Sequence, residues 1–131
     1  MNIILKIGID VYQLLIELGF NYKQAQYITA QAAHETGNFQ SQIFKENNNL
    51  FGMKHAGQRL SQGEKNGHAY YKTIEDSVKD YQIYYKLNNY PVTFETPENF
   101  VDSLKNHGYF EANIENYKKG VRHFLNLYFN A

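Results

Sequence analysis

Between Asn21 and Gly37 the sequence marks a helix at both ends. Asn21 with Gln24 three residues on makes a capping-box arrangement, and Gly37 closes the segment. Inside, Ala25, Ile28 and Ala32 recur at spacings of 3 and 4, one apolar stripe on a helix. Glu35 continues that stripe at the last turn. Helix C-termini carry partial negative charge, so an acid there opposes the backbone dipole. The dipole alone is worth about 0.3–1 kcal/mol, whereas raising a Glu pKa from about 4.3 to about 6 takes roughly 2.3 kcal/mol. If Glu35 is to hold a proton near neutral pH, as a general acid must, partial burial has to supply most of the shift.

The rest of the chain is punctuated in the same way. A first helix is expected from Asp10, carrying Val11, Leu14, Leu15 and Leu18, with Gly19 ending it. Residues 38–72 are rich in Asn, Gln and Gly and have no sustained helical period. Within them the Asn66-Gly67 pair, flanked by polar and aromatic residues, predicts a small β-hairpin. Helical spacing returns after Thr73 with Ile74, Val78, Tyr81 and Tyr85, and Pro91 sets its limit. Thr96 and Pro97 start another helix that Gly108 stops, and Asn113 opens a last one through Ile114, Tyr117, Val121, Phe124, Leu125 and Tyr128. The expected architecture is mainly α, about five helices with a small irregular β-hairpin lobe over about residues 50–72. At 131 residues the whole chain fits a single domain.

Composition narrows the function. Thirteen basic residues balance thirteen acidic ones, which gives no support to nucleic acid or an anionic membrane as principal partner. With no cysteine, thiolate metal sites, disulfides and Cys nucleophiles are excluded. The N-terminal apolar run is broken by Lys6 and Asp10, too short for a signal h-region or a membrane span. His34-Glu35 begins like a zinc-protease motif, but the second ligand would fall at Asn38, so no metal or other cofactor is expected. His34, off the apolar stripe, is expected to be solvated or hydrogen-bonded at the lobe boundary. His55, His68, His107 and His123 are scattered and carry no assigned role. Twelve Tyr and nine Phe, with no Trp, supply side chains that suit core edges and the faces of sugar rings.

Four stretches, taken in order, resemble one family. Ala30–Phe39 ("AQAAHETGNF") contains Glu35-Thr36-Gly37. Asn48–Lys54 ("NNLFGMK") is similar to Asn-Asn-Leu-Phe-Gly-Ile-Lys. Tyr71–Tyr81 ("YKTIEDSVKDY") follows Tyr-x-Ser-x-Glu-Glu-Ser-x-x-Asp-Tyr. Gly108-Tyr109 matches the start of Gly-Tyr-Ala-Thr-Asp-Pro-x-Tyr, although the Asp-Pro pair is missing and Tyr117 falls two residues late. Together they resemble the N-acetylglucosaminidase branch of the lysozyme-like superfamily, the flagellar and autolysin type of peptidoglycan hydrolase. The resemblance implies a lysozyme-like fold and an enzyme that cleaves β-1,4 bonds of the cell-wall glycan on the reducing side of N-acetylglucosamine. It implies that Glu35 is the catalytic acid, that Asn48, Asn49, Phe51 and Gly52 form the turn bordering the sugar groove, and that Tyr109 lines it. For Asn49, satisfying loop backbone is the other reading, and for Phe51 and Gly52, shaping the turn.

The family's second acid lies in the β-lobe, where Glu64 is the natural candidate and Glu46 comes next. Only six residues separate Glu64 from Tyr71, a short lobe. Glu75 and Asp76 read as first-turn charges of a helix. Without a second carboxylate, the substrate's 2-acetamido group would act as internal nucleophile. Retaining and inverting outcomes both stay open, as does oligomeric state. Alternatives on the same fold are a muramidase, a lytic transglycosylase, and a glycan-binding or virion structural module without turnover. A small hydrolase lacking a signal resembles bacteriophage endolysins and tail-associated enzymes, delivered to the wall by a holin or a virion.

Overall fold

The computed structural model describes residues 2–56, 59–87, 94–106, 108–110 and 113–131. Among them the order is α1 (Ile3–Glu17), α2 (Tyr22–Glu35), α3 (Gln42–Asn47), β1 (Gly63–Lys65), β2 (His68–Tyr70), α4 (Ile74–Leu87), α5 (Pro97–Asn106) and α6 (Ile114–Phe129). The mainly helical fold with one small antiparallel hairpin agrees with the lysozyme-like expectation, with six described helices where about five were expected. The sixth is α3, and a second difference lies at the start of α1. Helix α1 starts at Ile3, not near Asp10, because the Asn2 side chain caps it by accepting from Leu5 N–H at 2.9 Å. Lys6 and Asp10 do not interrupt it, since they pair at 2.8 Å on its exposed face, one turn apart. Helix α3 has six residues, too few to display a period, and is capped by Ser41. Pro91, His107 and the side chain of Tyr85 lie outside the described residues.

The remaining ends follow sequence chemistry. In α2, Asn21 and Gln24 close a reciprocal capping box. Thr73, Thr96 and Asn113 accept from the backbone N–H of Asp76, Asn99 and Asn116. In the hairpin, Asn66 (φ 56°) and Gly67 (φ 76°) both take positive φ, as a two-residue primed turn requires, and Glu64 pairs with Ala69.

Helix α2 is the axis of the molecule. Ala25, Ile28, Ala32 and Ala33 face one buried cluster with Val11, Leu15, Leu50, Phe51, Val78 and Tyr81. Tyr27 and Ala30 face a second, with Phe100, Val101, Leu104, Tyr117, Val121 and Leu125. Buried on two faces, α2 uses alanines where α1 and α6 pack against it. Small side chains let helix axes approach to the short end of the usual 8–10 Å.

The segment after α3 has almost no regular structure, yet its backbone runs through the interior. Two side-chain amides satisfy it. The Asn47 side chain donates to the Lys65 carbonyl at 2.7 Å, while the Asn47 backbone carbonyl accepts from Tyr71 N–H. Asn49, fully buried, donates to the carbonyls of Met53 (2.9 Å) and Ala69 (2.8 Å) and accepts from the N–H groups of Phe51 and Met53, both at 3.2 Å. Leu50 N–H reaches Ser77 Oγ at 3.1 Å, and the Phe51 ring stacks on Tyr81 with centroids 4.0 Å apart. Tyr81 in turn donates to Gln31 of α2 at 2.6 Å.

We predict that Asn49→Ala lowers stability by about 2–4 kcal/mol, since buried donors and acceptors lose their partners. Urea unfolding followed by circular dichroism measures this, and a loss under 1 kcal/mol would contradict the role assigned to the amide.

Candidate functional site

Glu35 is the last residue of α2 and is partly buried. Two residues meet its carboxyl, and a third braces one of them. Tyr117 of α6 donates its hydroxyl to Oε1 at 2.5 Å. Gly52 lies against the other oxygen: a Cβ there would stand 3.3 Å from Oε2. Gly52 also has φ +67°, so both its conformation and its closeness to the acid call for glycine. Phe110 stacks on the Tyr117 ring, centroids 4.0 Å apart and nearly parallel at 11°. Burial raises the Glu35 pKa above the ordinary carboxylate value, and the hydrogen bond from Tyr117 pulls it partly back. Desolvation is thus the main cause of the shift, as the weakness of the dipole required.

Gly52, on the carboxyl's far side, lines a cavity of about 560 Å³, a size that suits a small ligand or a sugar; Glu35 itself is not among the described lining residues. Gly52 and Phe110, which touch the acid and its tyrosine, both line it. One wall is the backbone path Phe51–Lys54, and the other is formed by Tyr84, Gly108 and Tyr109. Tyr109 spans the two walls, donating its hydroxyl to the Phe51 carbonyl at 2.9 Å and meeting Tyr84 edge-on.

The residues singled out from sequence fall into three groups. Glu35, Phe51, Gly52 and Tyr109 gather at the acid and the cavity. Asn48 and Asn49 hold the turn from behind. Asn48, in left-handed conformation at the C-cap of α3, donates to the Tyr71 carbonyl at 3.0 Å, and the Asn49 amide is engaged by backbone as described. Glu64 sits exposed on β1 and is not among the described residues lining the cavity. Glu46 is also exposed and accepts from Gln42 and Asn66, bonds that hold its pKa below the ordinary value. No cluster of potential metal ligands occurs among the described residues.

Two contributors were missed. Tyr117 read as one more apolar-stripe residue of α6; its signal was the late tyrosine of the Gly-Tyr pattern, displaced by two positions. His34, expected to be solvated or hydrogen-bonded at the lobe boundary, is half-buried. Its ring meets Tyr117 edge-on at 4.4 Å and fills the space above Gly120 of α6, where any Cβ would overlap the imidazole. Burial lowers its pKa, which favours a neutral ring beside the acid. A cation there would depress the Glu35 pKa.

A family model described as Glucosaminidase, mannosyl-glycoprotein endo-beta-N-acetylglucosaminidase, matches residues 13–129. No curated protein sequence matches the chain. Among solved structures, a type VI secretion system effector–immunity complex from Pseudomonas protegens is similar in fold. It has a TM-score of 0.66 and 19% identity, with 95% of each chain covered.

Two predictions follow from the packing and the buried carboxyl. Gly120→Ala should destabilise by about 1–3 kcal/mol through overpacking, and adding His34→Ala should recover most of that loss. Strictly additive losses in a double-mutant cycle would refute the contact. The second concerns pH. A carboxyl whose folded pKa lies above its unfolded value stabilises the fold when protonated; that contribution is full below the unfolded pKa and lost as pH rises through the folded one. Glu35→Gln should therefore be more stable than wild type at neutral pH, the difference vanishing in acid. Melting temperatures across pH test this, and a variant less stable at neutral pH would count against it.

Proposed function

The chain belongs to the glucosaminidase (mannosyl-glycoprotein endo-beta-N-acetylglucosaminidase) family, and we propose that it is a peptidoglycan hydrolase, an endo-β-N-acetylglucosaminidase that uses Glu35 as general acid. The observation that supports this most is the state of Glu35 itself: a carboxyl desolvated, oriented by a tyrosine and lying against Gly52, which lines a sugar-sized cavity. A glycan strand lies along the cavity, its rings against Tyr84, Tyr109 and Phe110. Glu35, protonated, gives its proton to the leaving glycosidic oxygen as oxocarbenium character develops on the sugar. The Tyr117 hydroxyl fixes which oxygen faces the substrate and stabilises the carboxylate left behind. Asn48 and Asn49 serve the site by holding the Phe51-Gly52 turn against the acid.

Glu64 is the proposed second carboxyl, delivered from the hairpin; in its place the substrate's 2-acetamido group would act as internal nucleophile. Muramidase or lytic transglycosylase action remains the alternative on this scaffold, as does glycan binding without turnover. Access to the wall through phage lysis machinery or a virion belongs to the same proposal. Secretion as a toxin, the context named for the structural neighbour, is the competing route.

Glu35→Gln should lower kcat on purified peptidoglycan by about 10²–10⁴-fold while the fold persists; undiminished lysis would remove Glu35 as the acid. Mass spectrometry of the products identifies the sugar at the new reducing end, and muramic acid or an anhydro sugar there would overturn the glucosaminidase assignment. Activity should fall as pH rises through the raised pKa of Glu35. Tyr117→Phe deletes the bond that lowers this pKa, so the alkaline limb of kcat/KM should move to higher pH; an unmoved or lowered limb would contradict the assignment.

A further inference from the structure

The cavity wall holds a charge that the acid chemistry does not use. Among the described residues lining it are two cations, Lys54 and Arg59, and no carboxylate. Lys54 is occupied elsewhere, donating from Nζ to the Gly67 carbonyl of the hairpin turn at 2.8 Å. Arg59 is different. Its side chain is only 8% exposed, and its guanidinium lies over the Tyr84 ring, 5.9 Å from the centroid. One N–H reaches the Lys54 carbonyl and another the Met53 sulfur, which fixes the plane of the fork against the cavity wall.

The bland explanation is that Arg59 serves only to neutralise Asp80, a fully buried carboxylate. The geometry argues against this as its whole role. Asp80 already accepts from Tyr71 Oη at 2.5 Å on one oxygen and from Leu60 N–H at 3.1 Å on the other. Tyr71 stays protonated and donating, because burial and Asp80 both push its pKa upward. Arg59 Nε stands 3.7 Å from Asp80, an ionic neighbour beyond hydrogen-bond length, and has no hydrogen-bond partner. A guanidinium has five N–H donors in a rigid fork matched to carboxylate geometry, and a buried donor without a partner is costly. Arg59 is therefore a desolvated, oriented cation lining the cavity; its Nε is buried beside Asp80, so the donors it can offer a ligand are the second N–H groups of its two terminal nitrogens.

We propose that Arg59 forms a subsite for a carboxylate carried by the glycan, either the lactyl carboxylate of N-acetylmuramic acid or a carboxylate of the attached stem peptide. The subsite rests on the glycosidase reading above and deepens it. Gly52, against Glu35, and Lys54, bonded to Arg59, are separated by at most about 7 Å of chain. The carboxylate recognised thus belongs to a sugar close to the scissile bond. Such a contact selects wall glycan over neutral N-acetylglucosamine polymers, which offer the same acetamido groups and no acid.

The test uses four substrates: peptide-stripped peptidoglycan strands, the same strands with lactyl carboxyls converted to methylamides, intact peptide-bearing strands, and N-acetylglucosamine oligomers. Wild type should show a KM for the charged strands roughly tenfold or more below that for the neutralised strands. Arg59→Gln combined with Asp80→Asn, which leaves no buried charge unpaired, should abolish that preference, read as the ratio of KM on charged to KM on neutralised strands within the one variant. Should the double variant fail to fold, Arg59→Lys keeps the charge but not the fork, and its preference should fall. A preference retained in the folded variant, or absent from wild type, overturns the subsite. Stripped strands preferred over methylamidated ones identify the lactyl group; preference only for intact strands identifies the stem peptide. Calorimetric binding of charged and neutralised fragments to Glu35→Gln reads the subsite without turnover. Wild type inactive on every substrate, with charge-selective binding intact, would sink the glycosidase reading and leave the anion subsite standing.

Discussion

An irregular chain can cross a protein interior only if its backbone polar groups find partners there. That constraint governs this molecule at residues 47–54, and the Asn49 side chain meets it. One amide substitutes for a missing strand: it donates to two carbonyls and accepts from two N–H groups. With the turn so held, Phe51 lies on Tyr81, Tyr81 reaches Gln31 of α2, and Gly52 comes to rest against the carboxyl that ends that helix. The sequence stretches that resemble the glucosaminidase family are therefore parts of one contact network. Leu50 with Ser77, Phe51 with Tyr81, Tyr71 with Asp80 and Tyr109 with Phe51 each join one stretch to another or brace one from within.

The same network explains how an unfavourable residue is kept at a helix end. The dipole of α2 and the loss of water both oppose ionisation of Glu35. The second effect is the larger and is produced by residues remote in sequence: Gly52 from the loop, Tyr117 from α6, and Phe110 behind Tyr117. Tyr117 works against the shift while orienting the group. The site thus balances a carboxyl made reluctant to ionise against a hydroxyl that gives it direction. His34 contributes by being neutral and by filling the gap that Gly120 leaves, which presses the Tyr117 ring from its edge.

What could be read from sequence divides along the range of the interactions. The capping box at Asn21–Gln24, the Thr96-Pro97 start and the Asn66-Gly67 turn are local, and each is found where its residue chemistry demands. Helix α1 begins before Asp10 because Asn2 offers an equally good cap further upstream, and Lys6 and Asp10 share an exposed face of the helix. Helix α3 is shorter than two turns and leaves no periodic trace. At the site, Glu35 was visible from its position on a stripe. Tyr117 was not, because a tyrosine on an apolar face gives no indication of where its hydroxyl ends. The partnership of His34 with Gly120 and the setting of Arg59 exist only once helices and loop are packed.

The pair that sets the acid is also separated in time. Glu35 and Tyr117 lie 82 residues apart along the chain. At roughly 5–20 residues per second, a ribosome takes about 4–16 s to travel from one to the other. Throughout that interval the hydroxyl that orients the Glu35 carboxyl is absent. The nascent chain therefore carries the carboxyl without its orienting partner until Tyr117 has been synthesised and α6 has docked.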